Sequence, residues 1–202
     1  MRTTTIALGM LQTNCYIVED DAKRALIIDP GAKAERIMAF LEKEEIVPAA
    51  IVLTHGHFDH IGAVDELHRH YQIPVYMHED DHELVSQPSK VSRATHRIHI
   101  SSPIHFVTEG KMNLHGFDVE FIHAPGHTEG CMMMIYRGQL FSGDVLFLED
   151  IGRTDLDTSN PSKMKNTLRM IATLDPELIV YPGHEESTTL KHELQYNPYL
   201  GR

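Results

Sequence analysis

The chain has 202 residues, an apolar fraction of 42% and a formal net charge of −11. This length suits one large domain with a substantial core, and no apolar run approaches the ~18 residues of a membrane span. The acidic balance repels phosphate backbones and anionic lipids, so neither nucleic acid nor a membrane is an expected partner. The start, Met1-Arg2-Thr3-Thr4-Thr5-Ile6, lacks the charged region and long apolar stretch of a signal peptide. Only two cysteines occur, Cys15 and Cys131. Both features point to the cytoplasm and away from a disulfide framework.

The first elements read as strands, roughly Thr3 to Leu8, Cys15 to Glu19 and Ala25 to Asp29, the last stopped by Asp29-Pro30-Gly31. Ala32 to Glu45 carries a helical apolar stripe through Ile37, Phe40 and Leu41. A strand from Ala49 to Leu53 follows, then a helix carried by Ile61, Val64, Leu67 and Tyr71, then a short strand over Pro74 to Met77. The stretch from about Gln87 to Pro103 is polar and irregular, with Lys90, Arg93 and Arg97 as a solvated basic patch. The second half is expected to open with strands at Ile104 to Val107, Met112 to Leu114, Val119 to Ala124, Cys131 to Tyr136 and Gln139 to Ser142. Asn160 then reads as a helix cap with Pro161 in the first turn, and Met164, Leu168 and Ile171 as the buried side. Leu178 to Tyr181 reads as the last strand and Ser187 to Tyr196 as the last helix. This order suggests two sheets with helices outside them.

Thr54-His55-Gly56-His57-Phe58-Asp59-His60 packs three imidazoles and a carboxylate behind the apolar run Ala49 to Leu53. Alternate residues of a strand face opposite sides, so a plain strand cannot gather all four on one metal; a turn at a strand end can divide them between two. Neutral imidazole and carboxylate suit zinc, iron or manganese, and a site this rich in donors implies hydrolytic or redox chemistry. Three other apolar strands end in a glycine followed by one donor: Pro125-Gly126-His127, Gly143-Asp144 and Pro182-Gly183-His184.

These motifs together resemble the metallo-β-lactamase-fold hydrolases over about residues 3 to 190. The resemblance implies an α/β fold, a four-layer αββα sandwich, formed by residues 1–202 as a single domain. It also implies a dinuclear site in which His55, His57 and His127 hold one metal and Asp59, His60 and His184 the other, with Asp144 bridging. Zinc is the first expectation, with iron or manganese as alternatives. Two divalent ions held by five neutral imidazoles and two carboxylates retain surplus positive charge, which lowers the pKa of a bound water towards ~7. Asp59 is the candidate catalytic carboxylate that orients the resulting hydroxide.

Within that family the chain is most similar to glyoxalase II-like thioesterases. Leu11-Gln12-Thr13-Asn14-Cys15-Tyr16, Ile28-Asp29-Pro30-Gly31, His127-Thr128-Glu129-Gly130 and Gly143-Asp144-Val145-Leu146-Phe147 carry that likeness. The implied substrate is a small thioester such as S-lactoylglutathione. The C-terminal helical domain that binds glutathione in full-length members has no counterpart in the sequence. Arg153, on the loop beyond Asp144, is a candidate substrate contact. A persulfide dioxygenase with one iron is the main rival; phosphodiester cleavage, a non-catalytic metal-binding module and flavodiiron electron transfer fit less well.

The chain has fifteen histidines, and most lack a strand-end context. His68, His70, His96, His99, His105, His115 and His192 are expected at the surface or hydrogen-bonded in the core. His123 is a candidate support for a ligand. His78-Glu79-Asp80-Asp81-His82 matches the zincin signature, but its two aspartates and missing apolar back face argue for a helix start instead. Cys15, Cys131 and Met132 to Met134 are expected in the core.

Overall fold

A computed structural model describes residues 2–87 and 98–200. The residues Lys90, Arg93, His96 and Arg97, and most of the expected irregular segment, lie outside the described residues. The chain divides into two compact units, Met1–Val107 and Thr108–Arg202.

The first unit runs β1 (Arg2–Leu8), β2 (Thr13–Glu19), β3 (Arg24–Ile28), α1 (Ala34–Lys43), β4 (Val47–Val52), α2 (Phe58–Ile61), α3 (Val64–Tyr71), β5 (Val75–Met77), α4 (His82–Ser86) and β6 (Ile104–Phe106). Its six strands lie in chain order. The first three are antiparallel, and β3 to β6 are parallel. Alternate residues Cys15 and Ile17, Ala25 and Ile27, and Ile51 and Leu53 pack with Ile37 and Leu41 of α1 and Val64 and Leu67 of α3. Burial of each such aliphatic side chain contributes about 1.5–3 kcal/mol. The intervening Val18, Leu26, Ile28, Ala50 and Val52 are buried as well. Burial on both faces explains why β3 and β4 read as unbroken apolar runs and not as alternating ones.

The second unit runs β7 (Gly110–Leu114), β8 (Phe117–His123), β9 (Met132–Tyr136), β10 (Gln139–Gly143), a hairpin of β11 (Leu146–Phe147) and β12 (Asp150–Ile151), α5 (Pro161–Ile171), β13 (Ile179–Pro182), β14 (Thr188–Thr189) and α6 (Leu190–Tyr196). Its main sheet has the order β14-β13-β10-β9-β8-β7, with only the β10–β13 pair parallel. Met164, Leu168 and Ile171 of α5 pack against Ile122, Met133, Leu140 and Val180. Asn160 caps α5 as expected, its side-chain oxygen accepting from Ser162 N and Lys163 N at 3.1 Å each.

Topology places all the candidate donors of each unit at one sheet edge. Parallel β3, β4 and β5 end together, which brings Asp29 beside Thr54 and His55; β2 runs the other way, so its start at Thr13 lies at the same edge. In the second unit β10 and β13 end together ahead of Asp144 and His184. Two antiparallel steps bring the end of β8, and so the His127 loop, to that edge too.

Four elements differ from expectation. Ile104–Phe106 pairs with β5 and so belongs to the first sheet, not to the second half. The helix expected through Ile61 to Tyr71 breaks in two, because Gly62 N and Ala63 N donate to the carbonyls of Gly31 and Pro30 at 3.0 and 2.9 Å. The β11–β12 hairpin was not expected, since two-residue strands show no periodicity. The last helix begins at Leu190, because Thr188 pairs with Val180 and the Thr189 hydroxyl accepts from His192 N.

Asp65, in the first turn of α3, ties down the chain at Ser101 and Ser102. Its carboxylate accepts from the Ser102 hydroxyl at 2.6 Å and from both backbone N–H groups at 2.9 Å. Burial pushes the Asp65 carboxyl up, but the hydrogen bonds from Ser102 and Ser101 outweigh it, so the group sits below the ordinary carboxylate range. A depressed folded pKa stabilises above the unfolded value and is lost as pH falls through the folded one. Asp65→Asn is therefore expected to lower stability at pH 7, with the gap to wild type closing below about pH 4. Urea unfolding of both proteins across that range measures it.

Candidate metal centre

In the first unit, β4 delivers His55 and His57 to a turn, and α2 begins at Phe58, so Asp59 and His60 lie in a helical first turn. This is the strand-to-helix turn expected from the sequence. His55 and His60 are buried, and their rings lie 4.1 Å apart. His55 Nε2 is 3.1 Å from His57 Nδ1, and His60 Nε2 is 3.5 Å from Asp59 Oδ2.

The hydrogen bonds behind these donors decide which ring nitrogen is free to bind an ion. Buried Asp29 accepts from Thr54 N at 2.8 Å and from the Thr54 hydroxyl at 2.6 Å. It also faces His60 Nδ1 at 3.0 Å. A carboxylate only accepts, so His60 carries its proton on Nδ1 and turns the Nε2 lone pair outward. The Thr54 hydroxyl has given its one proton to Asp29, so towards His55 Nδ1, at 3.1 Å, it acts as acceptor. His55 is thereby fixed in the same tautomer. A single carboxylate thus orients two imidazoles, the arrangement that metal-binding histidines require. Asp59 is held in turn by the Thr13 hydroxyl, which donates to Oδ2 at 2.9 Å. Buried Asp81 accepts from Gly56 N at 2.8 Å and fixes the turn between His55 and His57.

In the second unit, Asp144 Oδ2 lies 3.4 Å from His127 Nε2 and 3.5 Å from His184 Nε2. One carboxylate oxygen thus faces two imidazoles. His127 Nδ1 donates to the Arg153 carbonyl at 2.9 Å, which again frees Nε2 for a metal. The Ser159 hydroxyl donates to the His127 carbonyl at 2.9 Å. His123, expected as a support, pairs its Nε2 with the Glu129 carbonyl at 2.9 Å and so braces the loop that carries His127. Arg153 itself is exposed, and its guanidinium makes two 2.9 Å hydrogen bonds to Asp155. That pairing holds the Asp155 carboxyl below its ordinary range and raises the guanidinium.

Two glycines bring backbone directly onto the carboxylate donors. A Cβ on Gly31 would fall inside the Asp59 carbonyl, and one on Gly152 inside the Asp144 carbonyl with His127 Nδ1 3.2 Å away. Neither contact leaves room for any side chain.

The remaining residues behave as solvent-facing or core groups. The zincin-like segment forms a 3-10 turn at Glu79–Asp81 followed by the separate helix α4, so His78 and His82 do not share one helix. Cys15, Cys131 and Met132 to Met134 are buried. Burial, with nearby Asp29 adding to it, pushes the Cys15 thiol well above its usual range, and such a thiol is inert. Among the described residues no helix is long and apolar enough to cross a membrane.

The donor set fits divalent metals: His55, His60 and His127 carry the proton on the outer nitrogen and present the inner lone pair, beside Asp59 and Asp144. Two α/β units whose strand ends carry such donors define a metal-binding protein. The sequence profile of the Metallo-beta-lactamase superfamily matches residues 8–184, and the chain belongs to that family. It is 35% identical to the hydroxyacylglutathione hydrolase GloC of Haemophilus influenzae, over 99% of this chain and 98% of that one. It has the fold of the crystal structure of BLEG-1 B3 metallo-beta-lactamase, with a TM-score of 0.93 and 39% identity over 98% and 99% of the two chains. TTHA1623, crystallised in a di-iron-bound form, matches with a TM-score of 0.88 and 37% identity over 98% and 100%.

Loss of the shared acceptor should be felt at the metal. Asp29→Asn is expected to weaken metal binding about 10–100-fold, as disrupting an outer hydrogen bond to a ligand does; competition with a chromophoric chelator measures it. Gly152→Ala is expected to cost about 3 kcal/mol or more of stability, the upper end of overpacking, and to lower the metal content of the purified protein.

Proposed function

We propose that this chain is a dinuclear metal-dependent hydrolase of small thioesters, with S-lactoylglutathione as the representative substrate. The observation that carries the reading is the intact donor set of the family in a chain resembling, along its whole length, a protein named as a hydroxyacylglutathione hydrolase. On the family's pattern, His55, His57 and His127 hold one ion and Asp59, His60 and His184 the other, with Asp144 shared between them. When bound, two such ions supply Lewis acidity, polarising an acyl oxygen and lowering the pKa of water towards ~7. The chain's own residues set the geometry: Asp29 and the Arg153 carbonyl hold the imidazoles in the binding tautomer, and Thr13 aims Asp59. The leaving thiolate, with a pKa near ~8.5, departs without a proton donor, whereas an amide nitrogen requires one.

The Arg153 guanidinium, exposed beside Asp155, is the proposed contact for an anionic part of the thiol carrier. Arg153→Ala should raise KM several-fold with kcat nearly unchanged, since uniform binding is lost. Zinc is the first choice of metal, and the di-iron form of TTHA1623 supports iron as the alternative.

Metal analysis coupled to a thiol-release assay on S-lactoylglutathione tests the proposal. The expected result is two equivalents of metal and rapid thiol release. His57→Ala and Asp144→Asn should each fall to the uncatalysed background with the circular dichroism spectrum retained. The likeness to BLEG-1 favours β-lactam hydrolysis as a second reading. Faster turnover of a penicillin than of the thioester would replace the first reading with it. One iron per chain with persulfide-dependent oxygen uptake would replace both with dioxygenase chemistry.

A further inference from the structure

Glu193 is a fully buried carboxylate that takes no part in the chemistry above. Its Oε1 accepts from the Thr188 hydroxyl at 2.7 Å. Its Oε2 accepts from Glu149 N at 2.8 Å and from Asn197 Nδ2 at 2.9 Å. The same Asn197 nitrogen donates to the Asp150 carbonyl at 3.0 Å. Glu149, with a left-handed φ of 56°, lies at the tip of the β11–β12 hairpin, and Asp150 begins its return strand. A buried carboxyl group is costly unless its oxygens are hydrogen-bonded, and these three hydrogen bonds come in addition to the apolar contacts of Leu190 and Leu194 that seat α6.

The hairpin they clamp leads straight to two metal donors. At its base Ser142 Oγ donates to the Leu146 carbonyl at 2.8 Å. Just past its return strand, Gly152 presses against the Asp144 carbonyl and Arg153 presents the carbonyl that His127 Nδ1 needs. That acceptor is backbone, so its place is set by the hairpin and not by any side chain at position 153. We propose that Glu193 and Asn197 are positioning residues: from α6 they lock the β11–β12 hairpin so that the chain just past its return strand fixes the tautomer of His127 and the backbone of Asp144.

The test reads the protein without any acyl substrate, so its outcome is independent of the thioester reading. In isotope-labelled apoprotein, the His127 Nδ1–H resonance, assigned by its absence in His127→Gln, should be protected from exchange. Glu193→Ala should abolish that protection and weaken zinc binding about 10–100-fold by chelator competition. Glu193→Gln should restore both, because an amide oxygen accepts from Glu149 and Asn197 while the Thr188 hydroxyl turns to accept from the amide. Leu41→Ala, a core deletion in α1 whose apolar cluster contains no hairpin residue, lowers stability and should leave the resonance in place. If Glu193→Ala does not fold, Asn197→Ala must show the same loss. An unchanged resonance and zinc affinity in the alanine variants overturns the proposal. So does an equal loss in Leu41→Ala, or a failure of glutamine to restore what alanine removes.

Discussion

The arrangement of the metal donors in the first unit depends on where one buried carboxylate sends its acceptor capacity. Asp29 accepts hydrogen bonds from Thr54 and His60, and through Thr54 it also determines which nitrogen of His55 is protonated. Remove its charge and two imidazoles lose the reason to present Nε2 in one direction. Holding such a carboxylate 1% exposed would be unfavourable by itself. It is tolerated because a backbone N–H, a hydroxyl and an imidazole all point at it, and those donors come from strand ends that parallel pairing of β3 and β4 sets side by side. Sheet topology, tautomer choice and metal binding are therefore one constraint seen at three scales.

Close backbone contact is the second constraint, and it recurs in both units. Gly31 lies on the Asp59 carbonyl and Gly152 on the Asp144 carbonyl. In each case a loop from elsewhere in the unit buttresses the residue that carries the carboxylate donor. The same Gly31 carbonyl accepts from Gly62 N, which ends α2 one residue after Ile61. The break in the helix is thus the cost of bringing the Pro30–Gly31 loop close enough to fix Asp59.

The candidate donors were legible in the sequence because they are local: an apolar strand and then a turn with donors, four times over, three of them with a glycine directly before the donor. The strands that bear them were legible for the same reason. What held those ligands was not. Thr13, Asp29, Thr54 and Asp81 act across separations of up to 46 residues, and nothing local distinguishes Asp29 as an acceptor from Asp29 as the end of a strand. Ile104–Phe106 was assigned to the wrong half because three residues carry no signal of which sheet they extend. The β11–β12 hairpin escaped for a related reason: its purpose is the positions of Gly152 and of the Arg153 carbonyl, and backbone groups leave no trace in side-chain patterns.

The two units solve the same problem with different chemistry, and the difference bears on what can vary. In the first unit the outer acceptor is a side chain, so any change at Asp29 alters the metal donors directly. In the second it is the backbone oxygen of Arg153, which every amino acid possesses. The Arg153 side chain points to solvent with Asp155 and is free of that duty. Position 153 can therefore change its side chain while His127 stays supported, provided that the hairpin and Gly152 keep the backbone in place.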